Sequence, residues 1–437
     1  MIRTALALLA AFLVAAPAPE ASTLIRGAHV FDGAGSPAQV RDVLIRDGRI
    51  AAVERDINPP LGARVIDAAG MTLLPGLHDL HIHTRSQVFE NADTLARGFA
   101  PYVASGVTSI NEYSVNREML PRIRAIVAGG RVDAPHLQLA LRMGVPHGHG
   151  TESDFTNSIT AQVTTPDEAR AAMAALLPHR PDVIKVFTDG WRYGRDEDRP
   201  NMDLPTLSAI VEAAKRAHVP VVTHTVTADG ARIAAQAGVD AMVHGIGDTL
   251  VDHALVQLMK RRGLAYVPTL VVYEPQQDRE FLPQEWKLVR PRGKAREAER
   301  DAKPVAPIPT YESRRWRIMQ ENVRRLKAAG VRIGVGTDAG IGGVYHGWAT
   351  IREIRWLVKL GFTPAEALKA ATSESALIIG KGDIQGRIAP GLNADLLLVG
   401  GRPDQRIEDL YDVRHVFVGG RELSLPAARA ALAADAP

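Results

Sequence analysis

The residues best suited to chemistry sit at the ends of short apolar runs. In Gly76-Leu77-His78-Asp79-Leu80-His81-Ile82-His83, polar and apolar residues alternate. Side chains of a strand point to opposite faces in turn. That predicts Asp79, His81 and His83 on one face and Leu80 and Ile82 on the other, with His78 turned away from the site. Two imidazoles two residues apart at the C-terminal end of a strand can grip one cation. They can also be ordinary strand histidines held by hydrogen bonds. The preceding proline and glycine, and the aspartate two residues upstream, favour the metal. A second run, Val183-Ile184-Lys185-Val186-Phe187-Thr188-Asp189, carries a lysine inside an apolar strand. A buried ammonium is costly unless neutralised or paired, and burial favours the neutral amine. Such an amine can take up carbon dioxide as a carbamate, whose two oxygens can bridge two cations. The competing reading pairs Lys185 with Asp79 or Asp338.

Three further runs end in the same way. Val219-Pro220-Val221-Val222-Thr223-His224 and Ala241-Met242-Val243-His244 end in histidines, and Ile333-Gly334-Val335-Gly336-Thr337-Asp338 ends in an aspartate. Together His81, His83, Lys185, His224, His244 and Asp338 form a candidate metal-ligand set. Asp338 doubles as the candidate catalytic acid–base; its plainer reading is a helix cap near Gly340. Imidazole and carboxylate donors suit zinc, and manganese or cobalt fit the same donors. Weaker candidates surround this set. His147 and His149 lie in a glycine-rich loop, where they touch substrate or are simply loop residues. Arg192, Tyr193 and Arg195 follow the lysine run, and an arginine there suits a two-pronged pair with a carboxylate. Tyr273 is a further candidate for a substrate carbonyl or carboxylate.

Elements that alternate short strands with helices must position these residues. Strands are predicted at Leu77–His83, Thr108–Glu112, Leu137–Leu141, Val183–Asp189, Val219–Thr225, Ala241–His244, Ala265–Leu270 and Arg332–Asp338. Helices are predicted at Thr94–Ala104, Pro166–Leu177, Pro205–Ala217, Asp229–Ala237, Asp252–Arg262 and Ser313–Ala329. Thr363-Pro364-Ala365-Glu366 reads as a capping box. This pattern predicts an α/β chain, a (β/α)8 TIM barrel over residues 73–380. Barrel sites lie at the C-terminal strand ends, so the six candidates share one rim. Residues 22–72, with Asp47-Gly48 as a hairpin turn, and residues 381–425 are strand-rich and are expected to pair as a small β-sandwich. Residues 426–437 read as an alanine-rich tail. The charged insertion at 274–309 reads as a cover over the site or as a solvated loop. Trp286 and Trp316 read as packing residues.

Composition narrows the class. The chain has 437 residues, 46% of them hydrophobic and 23% charged, with net charge +3. That excludes a disordered chain, a collagen and a multi-span membrane protein. No basic block implies nucleic acid. The absence of cysteine excludes disulfides, thiolate metal sites and a cysteine nucleophile. Arg3 and the apolar run Ala5 to Ala16 at the start of the sequence fit a signal peptide over residues 1–21, too short to span a membrane. A secreted or periplasmic protein is expected.

The sequence resembles the amidohydrolase superfamily of metal-dependent hydrolases. PGLHDLHIH is similar to its first-strand signature, and GRIAPGLNADLLLV to its closing strand segment. Lys185 in VIKVFTDG and the HGHG loop are similar to the prolidase-like and ochratoxin-hydrolysing branch, whose members cleave amides bearing a C-terminal amino acid. The resemblance implies two zinc ions bridged by a carboxylated Lys185 and a hydroxide. His81, His83 and Asp338 then hold the first ion, and His224 and His244 the second. It implies a small-molecule amide or dipeptide substrate and a homo-oligomer. His224 is followed by Thr225-Val226-Thr227-Ala228-Asp229, without the glutamate that many single-metal deaminase members carry there. The expected activity is hydrolysis of an amide bond in a dipeptide or N-acyl amino acid. Cyclic amides, lactones or phosphoesters are alternative substrates of the same site. A non-catalytic binding barrel is a third reading, opposed by the filled state of all six positions.

Overall fold

The computed structural model describes residues 22–129, 132–194, 196–304 and 307–434. The expected signal peptide and Arg195 lie outside them. Among the described residues no helix is long and apolar enough to cross a membrane. The barrel strands, numbered in chain order, are β1 (Leu77–Ile82), β2 (Val107–Glu112), β3 (His136–Gly144), β4 (Val183–Phe187), β5 (Val221–His224), β6 (Ala241–Val243) and β7 (Ala265–Val267), each parallel to the next. The eighth, β8 (residues 332–338), closes the ring by isolated bridges. Tyr266 pairs with Ile333, and Ile82 with Ala339. Leu80 N donates to Val335 O at 2.9 Å and Asp338 N to His81 O at 2.8 Å. Glycine permits this close approach. A Cβ on Gly336 would meet Val267 Cγ1 at 2.7 Å and the His81 backbone nitrogen at 3.1 Å.

The predicted helices form within a few residues of their expected ends. Thr165, Asp203, Thr227 and Asp252 each accept a hydrogen bond from a backbone N–H in the first turn, and Thr363–Glu366 closes its capping box in both directions. Such caps contribute about 1 kcal/mol each. The helices that escape the sequence reading include Leu120–Ala128 and Trp348–Lys359. The second is buried on most sides and carries Arg352 and Glu353 into the core.

Strands from both ends of the chain build the second layer. Thr23–Val30, Gln39–Arg46, Arg49–Glu54, Arg64–Asp67 and Met71–Pro75 join Leu396–Gly400, Val413–Val418 and Arg421–Glu422 in one mixed sheet. The sheet bends back on itself, so that Arg49 bridges to Asn393. Asp47 and Gly48 both have positive φ, as a type I′ hairpin turn requires. The period-2 alternation is visible in the strand Leu396–Gly400. Leu396 and Leu398 enter the sandwich core, while Leu397 and Val399 enter the main barrel core. The segment expected as a tail contains a helix, Leu425–Ala433, with Leu425, Ala428 and Leu432 buried. It packs on the helix Ala92–Ala104.

The insertion is neither a loose cover nor a solvated loop. Glu274, Glu285, Arg279 and Arg352 are buried together. Arg352 Nη2 lies 2.6 Å from Glu274 Oε1, and its Nη1 lies 3.1 Å from Glu285 Oε2. Arg355 and Tyr411 also reach Glu285 Oε1, at 2.6 and 2.8 Å. Phe281 stacks between Trp286 and Trp348, and Trp316 meets Trp356 edge-on. Removing one partner of a buried pair leaves the other charge stranded, at roughly 3–5 kcal/mol. Arg352→Met is therefore expected to lower unfolding free energy by about that amount in denaturant titration. Arg170→Met, at the exposed pair with Asp167, should change it by less than about 1 kcal/mol. Equal effects of the two would show that the insertion is not held by this network.

Candidate active site

All six residues of the expected ligand set line one cavity of about 720 Å³ at the C-terminal ends of the barrel strands. His83 Nε2 lies 3.1 Å from Asp338 Oδ1 and His81 Nε2 lies 3.3 Å from it. The two Nε2 atoms are 3.1 Å apart. His244 packs on His81 with ring centres 4.7 Å apart and on His224 at 4.4 Å. Lys185 Nζ sits 4.8 Å over the Tyr113 ring and has no hydrogen-bond partner among the described residues.

Partners behind the imidazoles set which nitrogen faces the cavity. His83 Nδ1 hydrogen-bonds Ser114 Oγ at 2.8 Å, and His244 Nδ1 hydrogen-bonds Thr269 Oγ1 at 2.9 Å. Both therefore present Nε2. His224 directs Nε2 toward Asp189 Oδ1, 3.9 Å away, which leaves Nδ1 as the available nitrogen. Fixing the second ring nitrogen in this way is how proteins orient metal-binding histidines. The backbone is strained here too. His244, Thr269 and Asp338 all have positive φ, at 87°, 45° and 62°, a region that costs a non-glycine residue about 1–3 kcal/mol.

Electrostatics push the same way. Burial, reinforced by neighbouring cations, holds His81 and His224 well below the usual imidazole range, and His244 at about 3. Burial likewise pushes the Lys185 amine well down, against the pull of Asp338. Burial alone would raise Asp338; the hydrogen bond from His83 and the charges around it hold it instead at about 2. At neutral pH His81, His224 and His244 are thus neutral, beside an amine without a hydrogen-bond partner and the ionised Asp338. Lone pairs of this kind aimed at one point suit a cation. His81, His83 and Asp338 each offer a donor atom within 4.8 Å of the others, and the orphaned Lys185 Nζ fits conversion to a bridging group.

The first strand differs from its predicted alternation. Its pairing with β2 shifts register twice. Leu80 faces the barrel interior while Ile82 joins the outer core. Asp79 does not share the face of His81 and His83. Its carboxylate accepts from Thr337 and Thr350, each at 2.8 Å, on the far side of the strand, and burial raises it to about 7. It pins β8 and the helix Trp348–Lys359 to β1, and it is not the partner of Lys185. His78 is buried away from the cavity, as expected.

The substrate candidates divide. His149, Tyr193 and Tyr273 line the cavity. Glu152 Oε1 holds His149 Nδ1 at 2.7 Å, and the His149 ring lies 3.9 Å from that of His224. The guanidinium of Arg315, from the helix Thr310–Ala328, covers both tyrosines at 4.7 and 4.9 Å. His147 and Arg192 stand apart from the cavity lining. His147 is an exposed residue of a turn outside the cavity wall, its carbonyl accepting from Arg199. Arg192 also stands outside that wall, with its backbone N–H on Asp198. The sequence reading missed Arg142, buried and facing the cavity from the end of β3. Its signal was that of Lys185, a lone cation in the apolar run Leu139-Ala140-Leu141-Arg142-Met143. The predicted strand stopped one residue short of it.

Comparison with known proteins agrees with this geometry. The chain is 25% identical to ochratoxinase of Aspergillus niger over 94% of its own length and 88% of that protein. A solved structure from Bifidobacterium longum, described provisionally as a prolidase, superposes with TM-score 0.74 at 26% identity, covering 94% of this chain and 98% of that one. Dihydroorotase of Solibacter usitatus is 44% identical, but only over 87 residues, so the match spans 20% of that relative's length. The amidohydrolase family model matches residues 72–423. That span takes in β1 with its paired histidines, all the other candidate ligands and the closing strands, and the chain belongs to the amidohydrolase family of metal-dependent hydrolases.

Proposed function

We propose that the protein hydrolyses the amide bond of a dipeptide or N-acyl amino acid, using two divalent cations, zinc by preference. The observation that carries this reading is the buried meeting of His81, His83, Lys185, His224, His244 and Asp338 in one cavity. The full-length similarity to ochratoxinase and to the Bifidobacterium protein supports it. The apolar run behind Arg3 supports export to the periplasm or beyond.

On this reading His81, His83 and Asp338 would hold one cation and His224 and His244 the other, with a carboxylated Lys185 as a further ligand. Cations held there would supply acidification of a water and polarisation of a carbonyl. The chain supplies the proton chemistry and the positioning. Asp338, ionised and held at the rim, takes a proton from water and passes it to the departing amine nitrogen. Tyr193 and Tyr273 present hydroxyl groups on the wall beside His244, whose ring lies 5.9 Å from that of Tyr273. His149, steadied by Glu152, faces the same space.

A panel of dipeptides, N-acyl amino acids, lactones and phosphoesters tests the assignment. Turnover of N-acyl amino acids is expected, abolished by chelation and restored by zinc. Turnover confined to lactones or phosphoesters would replace the amide reading. Lys185→Ala is expected to reduce metal content from about two ions per chain to one or none, with matching loss of activity. Two retained ions by elemental analysis would refute the bridging role.

A further inference from the structure

Arg142 is 5% exposed, yet its guanidinium lines the cavity. In the β3–β4 ladder its Cα lies directly opposite that of Lys185. Neighbours in register project to the same side of a sheet, so two cationic side chains stand together. Arg142 Nη2 donates to the Gly150 carbonyl at 2.9 Å, and the guanidinium lies 5.0 Å from the centre of the Phe187 ring. Its Nε has no partner, and among the described residues no carboxylate pairs with it. The acids nearest in influence are already engaged. Glu152 is held by His149 Nδ1 and by Gly150 N at 2.8 Å. Glu112 accepts from Thr84 Oγ1 and from Ser114 N. Burial pushes the guanidinium down only to about 10, so it keeps its charge at neutral pH.

A buried guanidinium without a counter-charge is unfavourable. Here it opens onto a cavity whose only ligand-set carboxylate, Asp338, is engaged by His81 and His83. The unpaired N–H groups of a guanidinium fit a carboxylate. We propose that Arg142 is the specificity residue of this site, holding the free carboxylate of the substrate's C-terminal amino acid while the scissile amide lies against the imidazole cluster. The inference rests on the amide-hydrolase reading above. It moves carboxylate recognition from the rim arginine Arg192 to a buried one on β3.

The test compares an N-acyl amino acid with its C-terminal carboxamide, using zinc-loaded wild type, Arg142→Met and Arg142→Lys. Arg142→Met is expected to lower the ratio of kcat/KM for acid over carboxamide by about 100-fold, mainly through KM. Arg142→Lys should recover part of that ratio, since it restores the charge but not the fork. An unchanged ratio overturns the proposal. So does a fall in metal content or in bicarbonate dependence with the ratio intact, because the anion on Arg142 is then a carbamate on Lys185. If wild type cleaves neither compound, the amide reading fails, and calorimetry with an N-acetyl amino acid decides the Arg142 claim separately. Binding to wild type and its loss in Arg142→Met supports the claim; equal binding, or none to either, overturns it.

Discussion

Five imidazoles, an amine and a guanidinium line one cavity with a single carboxylate of the ligand set, and the rest of the structure answers to that crowding. Protonated imidazoles at this separation repel each other and are poorly solvated, so the pocket tolerates neutral rings with free lone pairs. Neutral rings would be free to rotate or to pair with each other. Ser114 and Thr269 prevent this at His83 and His244 by engaging Nδ1, and Glu152 does the same at His149. The left-handed backbone at His244, Thr269 and Asp338 adds strain. Such a site is destabilising by construction and must be held by structure outside it.

That structure is built from two sides. Below, the sandwich shares the strand Leu396–Gly400 with the barrel, so one run of leucines fills both cores. Above, the insertion is bolted to the helix after β8 by Arg352 and Arg355 against Glu274 and Glu285. The same helix carries Thr350 onto Asp79 and Glu353 onto the backbone N–H groups of Leu270 and Val271, immediately after Thr269. One helix therefore braces the strand holding His81 and the turn holding Thr269, on opposite sides of the β8 seam. The weakly laddered eighth strand can close the barrel because this helix clamps both neighbours.

Sequence reading succeeded where one residue type has one meaning. Alternation, caps and strand-end polar residues located the barrel and brought the six ligand candidates to one rim, because each depends on a local period. It failed where tertiary packing reverses local meaning. Asp79 sits at the right spacing to join His81, but a register shift between Asp79 and Ile82 breaks the alternation that would put them on one face. Arg352 and Glu353 carry no local signal of burial; Arg352 is buried against Glu274 and Glu285 of the insertion, and Glu353 against the backbone N–H groups of Leu270 and Val271. His147 and His149 look equivalent in sequence. Only His149 faces the cavity, because Glu152 reaches its ring while Gly150 turns the chain at φ 82°. Arg142 lay one residue beyond a predicted strand end, the least certain part of any element read from periodicity.

The cavity's two sides divide the work of binding. The inner side consists of ligand candidates and Arg142, groups that fix orientation through charge and hydrogen bonds but return little net energy after desolvation. The outer side holds Phe155 and Ile341. Phe155 is 51% exposed and Ile341 46% exposed, although both are large apolar residues. Apolar area covered at this mouth contributes about 25 cal/mol per Å², so covering it supplies affinity that the inner side does not. A compound with an amide, a free carboxylate and a bulky apolar group meets both demands at once. A small polar dipeptide satisfies the inner side alone and leaves the mouth exposed. On the amide-hydrolase reading, acyl or side-chain groups of aromatic size would cover Phe155 and Ile341 where glycine-like ones would not.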